Sequence, residues 1–175
     1  MRQGLWDAIA PVRERGLPVK WVRPEALHLT LKFLGDVDEG SEPGLRAALG
    51  QVAGDARPVP LHIEGFGVFP DFRRPRIVWA GVEPDPALEL LQHRVEQVFG
   101  ALAFPTEASL FRPHITLGRA SREARPRDFI MKGLEAALTA LTFANTTVVA
   151  DLDLMQSTLQ SGGAVYQVKH RERLS

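Results

Sequence analysis

Apolar residues recur along the chain at two spacings, three to four apart in some stretches and two apart in others, and the two kinds of stretch interleave from end to end. The first spacing gathers side chains on one face of a helix, the second on one face of a strand. Leu5, Ile9 and Val12 predict an opening helix that Gly16 and Pro18 stop. Val19 to Val22 reads as a short extended segment leading into a strand from His28 to Leu34, which Gly35-Asp36 ends. Ser41 with Pro43 marks a helix start, and Leu45, Leu49 and Val52 give that helix a buried stripe. Val59, Leu61 and Ile63 alternate with Pro60, His62 and Glu64, a half-exposed strand whose proline argues that it begins at an edge.

A turn-rich stretch, Asp71 to Pro75, precedes a short strand from Arg76 to Val82 that carries Trp79. Asp85-Pro86 is a helix cap, and Leu88, Leu91, Val95, Val98 and Leu102 make the most regular apolar seam in the chain. An extended Thr106 to Phe111 leads into a strand from Arg112 to Arg119. Arg119 to Arg127 is a polar, arginine-rich loop, and Ile130, Leu134, Leu138 and Leu141 predict a helix running through Gly133. Val148 to Gln156 and Ala164 to His170 predict two strands joined by a hairpin turn at Ser161-Gly162-Gly163. Strands and helices mixed with hairpin links fit an α+β fold with antiparallel sheets better than a doubly wound one. No low-complexity linker divides the chain, so residues 1–175 read as a single domain.

Two of the strands nearly repeat each other. His28-Leu29-Thr30-Leu31 returns 86 residues later as His114-Ile115-Thr116-Leu117. Period two sets each His beside its Thr on one face and Leu29/Leu31 or Ile115/Leu117 on the other. A duplicated strand in an α+β chain predicts a two-lobed, pseudo-twofold arrangement of antiparallel sheets with outer helices and a central cleft.

Composition narrows the chemistry. Lys plus Arg and Asp plus Glu number 21 each, so no global field advertises nucleic acid or membrane, and any anion site must be local. The absence of cysteine removes disulfides, thiolate catalysis and cysteine-ligated metals together. The N-terminus lacks an apolar signal core, and the longest uncharged run, Ala136 to Ala150, is too short and too rich in Thr and Asn for a bilayer. The expectation is a cytoplasmic monomer with no membrane partner.

Phosphodiester hydrolysis needs one group to take a proton from water, another to give one to the leaving oxygen across phosphorus, and donors for the charge on the equatorial oxygens. Two histidines suit both proton roles, because an ordinary imidazole titrates near about pH 6.5. Thr30 and Thr116 supply hydroxyls in register with the rings of His28 and His114. Strict alternation would bury Arg119 with Ile115 and Leu117, and an unpaired buried guanidinium is costly, so a break at Gly118 is expected to turn Arg119 toward the phosphate. Lys32 falls on the His28 face and is expected to reach solvent. Phe69 and Phe72, beside the Arg73, Arg74 and Arg76 turn, are candidates for stacking a base, with Arg76 a candidate substrate contact, while Phe33 and Trp79 are assigned to core packing. The lone His62, His93 and His170 carry no repeat and read as ordinary surface or core residues. Neither His-x-Thr supplies a second metal ligand, so no metal or cofactor is called for.

The paired His-x-Thr motifs, with Phe33-Leu34-Gly35 after the first and Pro113 and Arg119 flanking the second, resemble the 2H phosphoesterase superfamily, and within it the RNA 2',3'-cyclic phosphodiesterases, also called 2'-5' RNA ligases. The resemblance runs from about Trp21 to the C-terminus and includes Pro75 to Trp79 and Ser157 to Tyr166. It implies a metal-independent hydrolase acting on an RNA or oligonucleotide with a 2',3'-cyclic end, or on a small cyclic nucleotide. It implies His28 as general acid toward the ribose 3' oxygen, His114 as general base toward water, and Thr30, Thr116 and Arg119 on phosphate; on the residues alone the two histidine roles are interchangeable. Two alternatives stay open: 2'-5' ligation, the same chemistry reversed, and a non-catalytic nucleotide- or RNA-binding module. Members of the family usually open with an extended strand before the first helix, and this sequence begins directly in that helix. Either the sequence starts late, or the first lobe has one strand fewer and leaves a sheet edge unpaired near the first motif.

Overall fold

The amphipathic opening segment forms two short helices rather than one, α1 (Arg2–Ala8) and α2 (Ala10–Arg13). Pro11 lies in the first turn of α2, where it cannot donate to a continuing ladder, and Ile9 carries the chain around the break. Leu5, Ile9 and Val12 are buried as their spacing predicts. The computed structural model describes residues 1–160 and 163–175. The remaining elements, in order, are β1 (Val19–Trp21), α3 (Glu42–Gly54), β2 (Val59–Phe69), β3 (Ile77–Val82), α4 (Pro86–Gly100), β4 (His114–Ala120), α5 (Pro126–Met131), α6 (Leu134–Thr139), β5 (Ala144–Val149), β6 (Asp151–Gln160) and β7 (Gly163–Arg173). The fold is α+β, with one sheet of order β1-β4-β3-β2-β5 and a separate β6-β7 ribbon. The β1–β4, β4–β3, β3–β2 and β6–β7 pairs are all antiparallel.

The chain separates into two compact units, each assembled from three stretches. The first comprises residues 1–29, 62–83 and 113–146, and so contains β1, β3, β4 and most of β2 with α1, α2, α5 and α6. Its buried side chains include Leu5, Ile9, Leu27, Val78, Ala80, Ile115, Leu117, Leu134 and Leu138. The second comprises residues 30–61, 84–112 and 147–175, where α3 packs on α4 and on the β6–β7 ribbon. Leu49, Val52, Leu88, Leu91, Val95 and Phe99 are buried there.

Several boundaries differ from the sequence pattern. The stretch from His28 to Leu34 is not a ladder strand; it pairs through an isolated bridge from Leu29 to Ile115, and the chain then passes into the second unit at Thr30. Pro60 is not on an outer strand, since β2 lies between β3 and β5, but pairing with β3 begins only at Ile63, so the missing N–H costs no bond on that side. Asp85 caps α4 as predicted, accepting from the N–H groups of Ala87 and Leu88 at 2.8 and 3.4 Å, yet the seam ends on Phe99 and Leu102 lies past the helix in solvent. Thr106 to Phe111 carries no strand. Gly133 takes a left-handed φ of +60° and divides the expected single helix into α5 and α6. The stretch from Val148 to Gln156 is shared between β5 and β6, which belong to different sheets, and the first two positions of the turn expected at Ser161-Gly162-Gly163 lie outside the described residues. Among the described residues no helix is long and apolar enough to cross a membrane.

Candidate active site

In the first unit β4 is the central strand of the site. Its residues face β3 in the register Gly81↔His114, Ala80↔Ile115, Trp79↔Thr116, Val78↔Gly118 and Ile77↔Arg119. Two steps on β4 therefore answer one on β3 between Thr116 and Gly118, a bulge that leaves Leu117 as the extra residue. Leu117 and Gly118 are both buried, and alternation resumes one step late. As a result Arg119 leaves the core face and shares the opposite face with His114 and Thr116. The break expected near Gly118 is present, as a bulge inside the strand rather than as its end, and Arg119 is exposed. Gly118 itself admits no side chain: a Cβ there would lie 2.5 Å from Val19 Cγ1 and 2.9 Å from the Trp21 ring on β1.

A second bulge re-aims β2. Ile63 faces Val82 and Phe66 faces Ala80, so three steps answer two, with Gly65 at φ +73° within the bulge. Without it, Phe69 would continue the core-facing series of Val59, Leu61 and Ile63. With it, Phe69 stands opposite Ile77 on the site face. There its ring meets two others: Trp79, at a centroid separation of 5.2 Å, and His114, edge-on at 5.0 Å and 83°. The Trp79 indole lies over Gly67 so closely that a Cβ on that residue would sit 2.4 Å from the ring. Trp79 is thus half-buried on the site face instead of being a core residue. The edge-to-face contact places a polarised ring edge against a π face.

The first motif reaches this face through the Leu29–Ile115 bridge. In an antiparallel pair centred there, His28 is level with Thr116, on the face where His114 also lies. Nδ1–H of His28 donates to the Ala26 carbonyl at 2.7 Å, at the end of a 3-10 turn, Pro24–Ala26. That bond assigns the proton of a neutral ring to Nδ1 and the basic lone pair to Nε2. Leu27, rather than Leu29 or Leu31, is the fully buried apolar residue of this stretch.

Thr30 belongs to the second unit, where the residues that follow it are firmly held. Lys32 does not reach solvent: its side chain is 2% exposed and its ammonium donates to Glu96 Oε2 at 2.6 Å and to the Pro105 carbonyl at 2.7 Å. Gln92 Nε2–H donates to Glu96 Oε1 at 3.3 Å and to the Leu31 carbonyl at 3.4 Å. This polar cluster ties Leu31 and Lys32 to α4. Nothing in the Lys32 region of the sequence announces it; the one signal was Glu96 on the apolar side of an otherwise regular helical seam. Phe33, assigned to the core by its type, is 66% exposed.

The other candidates disperse. His62 Nδ1 is 3.0 Å from Thr146 Oγ1, His170 Nε2 is 2.7 Å from Glu172 Oε1 in the second unit, and His93 is exposed on α4. Phe72 is half-buried on the turn between β2 and β3, and Arg73, Arg74 and Arg76 on the same turn are exposed. Among the described residues no three His, Asp or Glu side chains gather as a metal site.

The chain is similar to known proteins over nearly all its length. A family model, the 2'-5' RNA ligase superfamily, matches residues 2–158. An RNA 2',3'-cyclic phosphodiesterase of Methanothermobacter thermautotrophicus is 32% identical over 94% of this chain and 89% of that protein. One from Aeropyrum pernix is 34% identical over 93% and 89%. The crystal structure of a Thermus thermophilus protein matches with a TM-score of 0.77 at 30% identity, covering 99% of this chain and 91% of that one.

Proposed function

The chain belongs to the 2'-5' RNA ligase superfamily, and on that premise we propose that it hydrolyses RNA 2',3'-cyclic phosphodiester ends to 2'-phosphomonoesters without a metal ion, with His28 and His114 moving the protons. The observation that carries this reading is the Leu29–Ile115 bridge, which sets His28 level with Thr116 on the face of His114. Two names among the similar proteins, both RNA 2',3'-cyclic phosphodiesterase, support the substrate class.

In the proposed reaction His114 takes a proton from water as its oxygen forms a bond to phosphorus. The bond from phosphorus to the ribose 3' oxygen breaks, and His28 delivers the proton that this oxygen needs. The product carries a 2'-phosphate and a free 3'-hydroxyl, and each histidine ends in the other's starting protonation state until solvent restores both. The Nδ1–H bond from His28 to the Ala26 carbonyl supports this assignment, because it leaves Nε2 as the nitrogen that gains and loses the catalytic proton. Thr30, Thr116 and Arg119 are the proposed donors to the nonbridging oxygens, where charge builds up in the transition state. Phe69, on the site face, is the proposed substrate contact there, with Phe72 and Arg76, on the turn before β3, as further candidates.

Product analysis tests the reading. After incubation with a 2',3'-cyclic mononucleotide and with an RNA bearing the same end, the expected product is the 2'-phosphate alone. Recovery of the 3'-phosphate would reverse the leaving group, a joined 2'-5' product would favour ligation, and unchanged substrate that is nonetheless bound would favour a binding module.

A further inference from the structure

The edge of β4 away from β3 is lined by two separate stretches of the first unit. β1 runs antiparallel along it in the register Val19↔Ala120, Lys20↔Arg119 and Trp21↔Gly118, extended by a bond from the Val22 N–H to the Leu117 carbonyl at 2.8 Å. Further along the same edge the Leu29–Ile115 bridge brings in the first motif. Directly opposite residues of neighbouring strands share a face. Val19 and Trp21 lie on the core face with Gly118, where they approach its Cβ position to 2.5 and 2.9 Å, so Lys20 between them points to the other face. That is the face of His114, Thr116 and Arg119, and Lys20 and Arg119 are both exposed.

The register sets an order on this face. Along β4 the side chains run His114, Thr116, Arg119, and on the edge beside them His28 is level with Thr116 and Lys20 with Arg119. Trp79 and Ile77, which face Thr116 and Arg119 from β3, are two strand steps apart, so about 7 Å separates the two levels. The strands that build the face here, β1, β3 and β4, contain no Asp or Glu. Two cations directly opposite on neighbouring strands repel each other, and an anion bound beside them turns that repulsion into attraction.

An RNA substrate supplies such an anion. Its 2',3'-cyclic phosphate is singly charged, and the proposed reaction already gives that group donors in Thr30, Thr116 and Arg119. The nearest other anion is the phosphodiester that joins the cyclic-end nucleotide to its 5' neighbour, a group that a nucleoside 2',3'-cyclic phosphate lacks. Lysine suits this contact, as a compact charge on a flexible stem that meets a phosphate without reading a base. Resting on the proposed activity, we infer that Lys20 binds this phosphodiester beside Arg119, so that the protein selects an RNA end over a cyclic mononucleotide whatever the base.

The test compares kcat/KM for a dinucleotide with a 2',3'-cyclic end and for the same molecule with an uncharged methylphosphonate in place of its linking phosphodiester, in the intact chain and in Lys20→Ala and Lys20→Arg. The intact chain should prefer the charged linkage about 2- to 5-fold, the scale of a solvent-exposed ionic contact. Lys20→Ala should lose that preference and Lys20→Arg should keep it. For the charged substrate, the slope of log kcat/KM against log salt concentration should be shallower in Lys20→Ala by about 0.7, the value for one contact with a single strand. Lys20 is exposed, and thermal melts verify that both variants keep the fold. Equal rates on the two linkages in the intact chain, or a preference and salt slope that Lys20→Ala retains, would overturn the inference, as would a loss in Lys20→Arg as large as that in Lys20→Ala. Failure of the intact chain to hydrolyse either dinucleotide would instead overturn the proposed activity on which the inference rests.

Discussion

The ring of Phe69 stands edge-on to the ring of His114, with centroids 5.0 Å apart. The two residues are 45 positions apart in sequence and meet only because a bulge in β2 turns Phe69 away from the core. If the contact fixes the imidazole for proton transfer, Phe69→Ala should lower kcat about 10- to 100-fold, the scale for a misplaced catalytic group, with a smaller change in KM. A variant with unaltered kcat would assign the contact to packing alone.

Gly67 makes the neighbouring prediction. A methyl group at this position would sit 2.4 Å from the Trp79 indole, which must then lift and push on Phe69. Gly67→Ala should cost about 1–3 kcal/mol in stability, the usual penalty for overpacking, and should lower turnover together with it. Urea denaturation and steady-state kinetics on the same preparation check both, and a variant unchanged in each would show that the indole has room to move.

The duplicated His-x-Thr motif, the α+β mixture of elements and the capped α4 were legible in the sequence because each is a local pattern: a repeat, an alternation of periods, an Asp-Pro start. The two bulges were less so. Period two places every residue of a strand on one of two faces, and one inserted residue exchanges the faces for all that follow, as it does for Phe69 and Arg119. For Arg119 the cost of burying a guanidinium exposed the conflict in advance. Phe69 is apolar and raised no such conflict, so only Gly65 and Gly67 hinted at the change. Lys32 and Phe33 were misread for a related reason: after Leu29 the chain leaves the sheet edge, and neither residue keeps the alternation of the strand expected there.

The Lys32–Glu96 pair carries a stability prediction. Glu96→Leu leaves a buried ammonium without its carboxylate and should destabilise the protein by about 3–5 kcal/mol, whereas Lys32→Met combined with Glu96→Leu should recover most of that loss. Midpoints of denaturant unfolding for the two variants check this. A double variant as unstable as the single one would mean that the carbonyl bond to Pro105 matters more than the ion pair.

A chelator supplies a separate test of the metal-free mechanism. Saturating EDTA should leave the rate on a 2',3'-cyclic substrate unchanged. Loss of activity that a divalent ion restores would contradict two-histidine catalysis as the sufficient chemistry.

The most direct measurement is single-turnover hydrolysis of a 2',3'-cyclic phosphate across pH by the intact chain and by His28→Ala and His114→Ala. The account predicts a bell-shaped profile for the intact chain and a loss of about 10²- to 10⁴-fold in each variant, with one limb of the bell missing in His28→Ala and the other in His114→Ala. Near-normal turnover in either variant would contradict it.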